Sequence, residues 1–220
     1  IPLGGTSNHF IRDILEQVGG WDAYNVTEDA DLGMRLYRRG YRSAILDSTT
    51  YEEACSGFKN WLFQRTRWLK GWMQTYYVHM RTPVQLFREL GLWRFIGFQA
   101  IIGGPIFSSL VHPFFVFLLI WQTPYDTLPS GVSDGGLWVL SLFNLGAGYI
   151  AAMWLGLVTL RFRNLTGFIA SILTLPLYWL LISLASYRAL LQLVYAPFRW
   201  EKTDHKGRLE KNNQLSEDLF

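Results

Sequence analysis

The sequence predicts an α/β segment followed by membrane α-helices, because its composition changes sharply along the chain. Residues 1–92 mix charged and apolar side chains, whereas residues 93–197 contain almost no acids and carry long apolar runs. Residues 198–220 are charged again. Such a shift indicates a part in water, a part in lipid and a polar tail. The formal net charge of +3 is too small to suggest a nucleic-acid partner.

The first part of the chain predicts an alternation of strands and helices. Ile1–Asn8 has the character of a strand end that enters a glycine turn. A short helix is predicted at Arg12–Val18, and a second helix begins after Thr27 and ends at Gly40. Thr27 is expected to cap this second helix with its side chain. Tyr41–Asp47 reads as a strand, so the order fits the later half of an α/β nucleotide-binding domain.

Residues 58–80 predict a long helix that interleaves aromatic and cationic side chains, and residues 58–92 as a whole are expected to lie at a membrane interface. One face of the helix is different. It carries an amide, a guanidinium, an indole and a glycine at positions i, i+3, i+4 and i+7: Gln64, Arg67, Trp68 and Gly71. Arginine suits a diphosphate and tryptophan suits the apolar face of a sugar.

Two motifs resemble those of one enzyme family. Thr27-Glu28-Asp29, followed by Gln64-Arg65-Thr66-Arg67-Trp68, is similar to the TED and QxxRW pair of processive family 2 glycosyltransferases, the relatives of cellulose synthase and hyaluronan synthase. The similarity extends to Gly5-Thr6-Ser7-Asn8, Gly19-Gly20-Trp21 and Arg38-Arg39-Gly40-Tyr41. The resemblance implies that residues 1–57 are the C-terminal half of a GT-A type glycosyltransferase domain.

The resemblance also implies roles for single residues. Asp29 would be the general base that takes the proton of the acceptor hydroxyl, and Glu28 would orient the acceptor or pair with a cation. A carboxylate at a helix start is expected to have a low pKa, so proximity to the hydroxyl would supply much of the effect. The substrate-binding residues implied by the motifs are Thr27, Gln64, Arg67, Trp68, Gly5 and Asn8.

The donor side of such an enzyme is not recognisable here. The family uses an Asp-x-Asp pair for Mg²⁺ or Mn²⁺ and a further Asp for the nucleotide base, all upstream of TED. Only Asp13 and Asp22 precede Thr27 in this chain. The expectation is therefore a C-terminal fragment that is inactive alone and contains no metal ligand.

Three apolar stretches, at about 95–121, 137–160 and 167–195, are each long enough to cross a bilayer. The first is expected to kink at Gly103-Gly104-Pro105. His112 could line a pore or meet a neighbouring carbonyl. The distribution of arginines puts residues 122–136 outside and the catalytic part in the cytoplasm.

The third stretch has two interpretations. A single crossing would put the basic tail outside, whereas a re-entrant or interfacial arrangement keeps it in the cytoplasm, which the positive charges favour. The tail has the residue types of a family gating loop that closes over the nucleotide, in Trp200, Lys202, Thr203 and His205. The alternative is a basic tail that lies on anionic lipid.

The function that follows is an inverting, metal-dependent glycosyltransferase of a bacterial inner membrane, with a nucleotide-sugar donor (a UDP-sugar by family habit) and a glycan acceptor that is extended processively. One alternative is the transfer of a single sugar to a lipid or glycan, with the helices as anchors. An alternative of another class is a membrane transporter or scaffold, but it leaves the paired motifs unexplained.

Overall fold

The computed structural model describes residues 3–46, 48, 50, 52, 54–122, 132–165 and 169–201, and the regular elements in these ranges are helices. In chain order they are α1 (Arg12–Gln17), α2 (Glu28–Arg38), α3 (Phe58–His79), α4 (Pro83–Leu90), α5 (Leu92–Phe98), a π-helical segment (Gln99–Gly103), α6 (Gly104–Gln122), α7 (Val132–Phe162), α8 (Ile169–Ile172) and α9 (Leu175–Tyr195).

The strand predicted at Tyr41–Asp47 is wrong over residues 41–46, which have no regular secondary structure. A strand is stable only when a neighbouring strand pairs with its backbone groups. The described residues contain no strand that could pair with residues 41–46. The GT-A sheet therefore stays a prediction. The helices predicted around it are present as α1, α2 and α3.

Helix α3 packs lengthwise against α9. The rings of Trp61 and Tyr178 meet edge to face with centroids 5.8 Å apart, and Lys70 Nζ lies 3.3 Å from Gln192 Oε1. Both pairs advance in the same direction, so the two helices run parallel. Helix α6 also packs against α9, and it packs against α7. The shared apolar core contains Met34, Met73, Leu86, Leu90, Phe98, Ile102, Ile106 and Ala189.

Three helical stretches are long and apolar enough to cross a membrane: Leu92–Trp121, Trp138–Phe162 and Leu175–Tyr195. They match the three predicted apolar stretches. The break expected in the first stretch takes the form of the π-helical segment Gln99–Gly103. At the end of this segment Gly103 lies against the Tyr76 ring of α3. A Cβ on Gly103 would be only 2.9 Å from that ring.

Pro176 begins α9 rather than bending it, because it stands in the first turn, where its missing amide hydrogen costs no hydrogen bond. The short α8 precedes it. The re-entrant arrangement predicted for 167–195 remains a prediction, and part of that stretch lies outside the described residues.

Candidate functional site

The first motif contacts α3 through Thr27 and Gly71, one turn beyond the second motif. A Cβ on Gly71 would overlap the side chain of Thr27, so only glycine lets α2 begin this close to α3. One turn along α3, Thr75 Oγ1 accepts a hydrogen bond of 3.0 Å from Asn25 Nδ2. Asn25 Oδ1 in turn accepts the backbone N–H of Thr27 at 3.0 Å. The start of α2 is thus fixed on the face of α3 that carries the second motif.

The predicted side-chain cap by Thr27 is wrong. Thr27 stands at the N-cap position of α2 but makes no side-chain cap hydrogen bond. Its side chain turns instead towards Gly71, and its buried Oγ1 has no hydrogen-bond partner among the described residues. Close packing between the two helices has taken the place of the cap.

Asp29 is half-buried at the start of α2. Its Oδ1 accepts the N–H of Ala30 at 2.8 Å, whereas its Oδ2 faces Gly5, 3.4 Å from where a Cβ would be. Burial raises the pKa of Asp29 above its ordinary value, and nearby Glu28 adds to this, although the Ala30 bond opposes it. The low pKa expected from the helix start is wrong because burial outweighs the hydrogen bond.

The glycine turn at residues 4–8 lies beside this carboxylate. The Leu3 side chain packs on Gly33 of α2, and a Cβ on Gly33 would be 3.2 Å from it. This contact brings the turn to the helix. Asn8 Nδ2 donates to the carbonyl of Gly4. Gly5 therefore approaches Asp29 closely, while Asn8 is exposed and supports the turn.

Arg67 joins the first motif to the segment after α9. Its guanidinium stacks on the Trp200 ring, 4.5 Å from the centroid, and its Nη1 lies 3.5 Å from the carbonyl oxygen of Glu201. Burial lowers the pKa of Arg67 below its ordinary value. The negative charge of Glu28 opposes this effect, so Glu28 stabilises the Arg67 cation. Trp200, expected in a mobile loop, is here a stacking partner of Arg67.

Trp68 is partly exposed. The Arg65 guanidinium covers its ring at 4.5 Å from the centroid, and the side chain is 42% exposed. Gln64 points elsewhere, because its Oε1 accepts a hydrogen bond of 3.3 Å from the thiol of Cys55. Within the predicted stripe, Gly71 meets α2, Arg67 meets the tail and Trp68 is the open position.

The pattern analysis missed the residues that attach the chain after α9 to α3. Lys70 is fully buried, and its Nζ donates to the carbonyl of Arg199 at 2.6 Å. Gln74 Nε2 donates to the carbonyl of Pro197 at 3.2 Å. Both continue the Arg67 stripe at i+3 and i+7, so their spacing could have indicated them.

Glu201 secures the same segment from the other side. Arg188 of α9 donates to both of its carboxylate oxygens at 2.6 Å, and Gln192 Nε2 donates to Oε1 at 3.1 Å. The hydrogen bonds from Arg188 lower the pKa of Glu201, although burial opposes them. Arg188 and Gln192, which interrupt an apolar helix at i and i+4, therefore have a common partner.

A second missed cluster surrounds Asp31. Its Oδ2 accepts from Arg35 Nε at 2.7 Å and its Oδ1 lies 3.1 Å from His79 Nε2. Although burial by itself would raise the pKa of Asp31, these partners lower it below the ordinary value. The same Arg35 donates to the carbonyls of Val18 and Gly20 at 2.7 Å. Asp31 is thus structural, although it is only two residues from Asp29.

A cleft of about 410 Å³ lies beside the Thr27 turn, between α3 and the segment after α9. Its lining combines aromatic rings with amide, carboxylate and guanidinium groups, including Tyr24, Tyr77, Phe198, Asp22, Asn25, Gln74 and Arg81. Rings that stack on sugar faces beside polar groups that bind hydroxyls are suited to a carbohydrate.

The described residues contain no group of three or more His, Cys, Asp or Glu side chains arranged to hold a metal ion. Lys202, Thr203 and His205 of the predicted gating loop lie outside the described residues.

Comparison with known proteins gives one family over most of the chain. The glycosyl transferase family group 2 matches residues 2–198. The beta-monoglucosyldiacylglycerol synthase of Synechocystis sp. is 26% identical over 98% of this chain and 44% of its own length. The probable glycosyltransferase YdaM of Bacillus subtilis is 35% identical over 70% of this chain and 32% of its own.

A shorter match joins this chain to a polymer synthase. The cellulose synthase catalytic subunit of Xanthomonas axonopodis pv. citri is 42% identical over 29% of this chain and 9% of its own length. No solved structure matches the chain. The chain spans less than half the length of these curated relatives.

Proposed function

This chain belongs to the glycosyl transferase family group 2, and we propose that it carries the acceptor side of an inverting transfer from a nucleotide-sugar donor to a glycan at a membrane. The observation that carries the proposal is the position of Asp29. It is a half-buried carboxylate with a raised pKa, held beside the Arg67 and Trp68 helix by the contact of Thr27 with Gly71.

In the proposed step Asp29 takes the proton of the acceptor hydroxyl. Its Oδ1 is occupied by the N–H of Ala30, so Oδ2, which faces Gly5, is the oxygen that receives the proton. The hydroxyl oxygen bonds to the anomeric carbon as the bond from that carbon to the donor diphosphate breaks. Attack opposite the leaving group inverts the anomeric centre. A raised pKa makes Asp29 a stronger base than an exposed aspartate.

Arg67 and Trp68 are proposed to bind substrate. A guanidinium balances the charge that develops on the departing diphosphate. The proposal is supported by the charge of Glu28, which opposes the lowering of the Arg67 pKa by burial and so links this cation to the start of α2. The exposed part of the Trp68 ring would carry the acceptor sugar, and the cleft lined by Tyr24 and Tyr77 would hold further sugar units.

Metal dependence and the choice of a UDP-sugar are parts of the proposal that rest on the family. A divalent cation would neutralise the diphosphate when bound. Its ligands would come from outside the residues described here, and no step above depends on it.

Repeated transfer is proposed as the main activity, supported by the 42% identity to a cellulose synthase catalytic subunit over 29% of this chain. The second candidate is the addition of one sugar to a lipid. It is favoured by the match to a glucosyldiacylglycerol synthase over 98% of this chain. In both cases the three apolar helices would hold the enzyme in a plasma membrane with the catalytic part in the cytoplasm.

The test uses the full-length protein in membranes with radiolabelled UDP-glucose or GDP-mannose and Mg²⁺ or Mn²⁺. Wild type is compared with Asp29→Asn and with Asp13→Asn, an exposed aspartate on α1, as the control. We expect high-mass product from wild type and the control, and none from Asp29→Asn. A product one sugar longer than its acceptor would favour the second candidate. Full activity of Asp29→Asn would disprove the mechanism.

A further inference from the structure

A cavity of about 350 Å³ lies between α6, α7 and α9, within the stretches that are apolar enough to cross a membrane. Its walls include Phe107 and Phe115 of α6 and Trp179 of α9. None of these helices carries Asp29 or the Arg67 and Trp68 motif. The volume falls within the range of small-molecule sites, about 300–1,000 Å³.

Polar groups converge on this cavity from two helices. His112 of α6 is 9% exposed, and its Nε2 lies 2.6 Å from the hydroxyl of Tyr149 on α7. The other ring nitrogen, Nδ1, is buried and has no hydrogen-bond partner among the described residues. Asn144 of α7 also lines the cavity, and it is exposed.

Unpaired polar groups at membrane depth are costly, since lipid tails offer no hydrogen bonds. The His112 Nδ1 is a donor or an acceptor according to which nitrogen carries the proton, and the Asn144 amide offers both kinds of group. A hydroxyl group donates and accepts, so it satisfies either state. Among the described residues, the cavity lining contains no Asp, Glu, Lys or Arg, so these residues provide no partner for a charged headgroup.

The mouth of the cavity faces the surface that lipid would cover. Phe107 and Val111 line it and are 56% and 42% exposed on a candidate membrane helix. A molecule that reaches the mouth therefore arrives through acyl chains rather than water. We propose that the cavity binds the hydroxyl-bearing head of a neutral lipid, with His112, Tyr149 and Asn144 as its polar contacts.

The cavity lining shares no residue with the proposed active site, and its test is a binding measurement. The full-length protein in liposomes is exposed to a photoreactive diglyceride, and labelled peptides are quantified by mass spectrometry. We expect capture on α6 and α7 near the cavity. Unlabelled diglyceride should abolish it, whereas phosphatidic acid with the same chains and a soluble oligosaccharide should leave it unchanged.

Variants assign the contacts. His112→Leu and Asn144→Leu should each lower capture about tenfold at limiting probe, as expected for the loss of one hydrogen bond in a membrane. Phe143→Leu, at the exposed neighbour of Asn144, should capture as wild type does. If His112→Leu unfolds at a lower temperature than wild type, Tyr149→Phe is used in its place, because it removes only one oxygen.

Several results would overturn the proposal. Equal capture by wild type and the cavity variants would show that these polar side chains do not bind the lipid. Equal competition by phosphatidic acid would show that the headgroup hydroxyl is not recognised. Protection by the oligosaccharide would make the cavity part of a sugar path. Transferase activity measured on the same samples, with Asp29→Asn as reference, separates these outcomes from a failure of the proposed function.

Discussion

The Arg188 guanidinium donates to both carboxylate oxygens of Glu201 at 2.6 Å, across the turn that ends α9. Glu201 is 8% exposed, so this pair lies largely out of water. It fixes the segment that bears Trp200, and Trp200 stacks on Arg67. One ion pair therefore connects the last apolar helix to a residue of the proposed active site.

Loss of this pair should release the segment after α9. Glu201→Gln keeps the shape but removes the charge, at a cost of about 1–3 kcal/mol for hydrogen bonds to a charged group. We expect trypsin to cleave after Arg199 roughly tenfold faster, because cleavage follows the open population. The exchange Arg188→Glu with Glu201→Arg should restore much of the protection.

Glu16→Gln is the matched control for that experiment. Glu16 pairs with Arg12 at 2.7 Å, but the two side chains are 62% and 87% exposed. An exposed pair contributes little, so the control should digest as wild type does. Equal cleavage rates after Arg199 in Glu201→Gln and Glu16→Gln would show that the ion pair does not hold the segment.

The same contact should depend on pH. The pKa of Glu201 is lowered in the folded state, so its stabilising effect is complete above its ordinary value of 4.5 and is lost as the pH falls through the lower folded value. Cleavage after Arg199 by an acid-tolerant protease should change little between pH 7 and 5 and accelerate below. In Glu201→Gln, this acid-induced step should be absent.

Asp29 and Asp31 should respond in opposite ways to loss of charge. Burial raises the pKa of Asp29, so its ionised form disfavours the fold at neutral pH, whereas hydrogen bonds lower the pKa of Asp31 despite burial. Asp29→Asn should therefore abolish transfer, by about 10²-fold or more, without loss of thermal stability. Asp31→Asn should lower the free energy of unfolding by about 1–3 kcal/mol.

Thermal unfolding and initial rates on the same preparations check this contrast. An Asp29→Asn protein that unfolds more easily than wild type would mean that the charge of Asp29 supports the fold. An active Asp29→Asn protein would contradict the proposed base.

Gly71→Ala should disturb the junction of α2 and α3, because the added Cβ would overlap the Thr27 side chain. Overpacking of this kind costs about 1–3 kcal/mol. Transfer activity should fall with stability, since the start of α2 carries Asp29. Gly97→Ala is the control: it lies in α5 with open space around it. There alanine should stabilise the helix by up to about 1 kcal/mol. Equal behaviour of the two variants would argue against the close contact.

Arg67→Lys should weaken binding of the nucleotide-sugar donor more than it lowers the turnover rate kcat. Lysine keeps the charge but loses the planar group that stacks on Trp200 and matches a diphosphate. We expect KM for the nucleotide sugar, and the inhibition constant of the nucleoside diphosphate, to rise about tenfold or more. Lys59→Arg, on the same helix, should leave both unchanged. A donor KM like that of wild type would remove Arg67 from the diphosphate site.

Sequence patterns alone predicted α1, α2, α3 and the three apolar stretches, because each depends on local spacing, whereas the two motifs were found by their resemblance to a family. The 3.6-residue period placed Gln64, Arg67, Trp68 and Gly71 on one face of α3. The strand at 41–46 was predicted wrongly for the opposite reason: a strand depends on a partner that is distant in the chain.

Only the tertiary structure decided which of these side chains meet and what surrounds them. Burial raises the pKa of Asp29, and no spacing in the sequence reveals this. At Asp31 the effect of burial on the pKa is outweighed by the partners His79 and Arg35, which lower it. Glu201 has its partner on α9 and Thr27 packs on α3. Periodicity reports neighbours within one element, whereas charge pairing and desolvation depend on contacts between elements far apart in the chain.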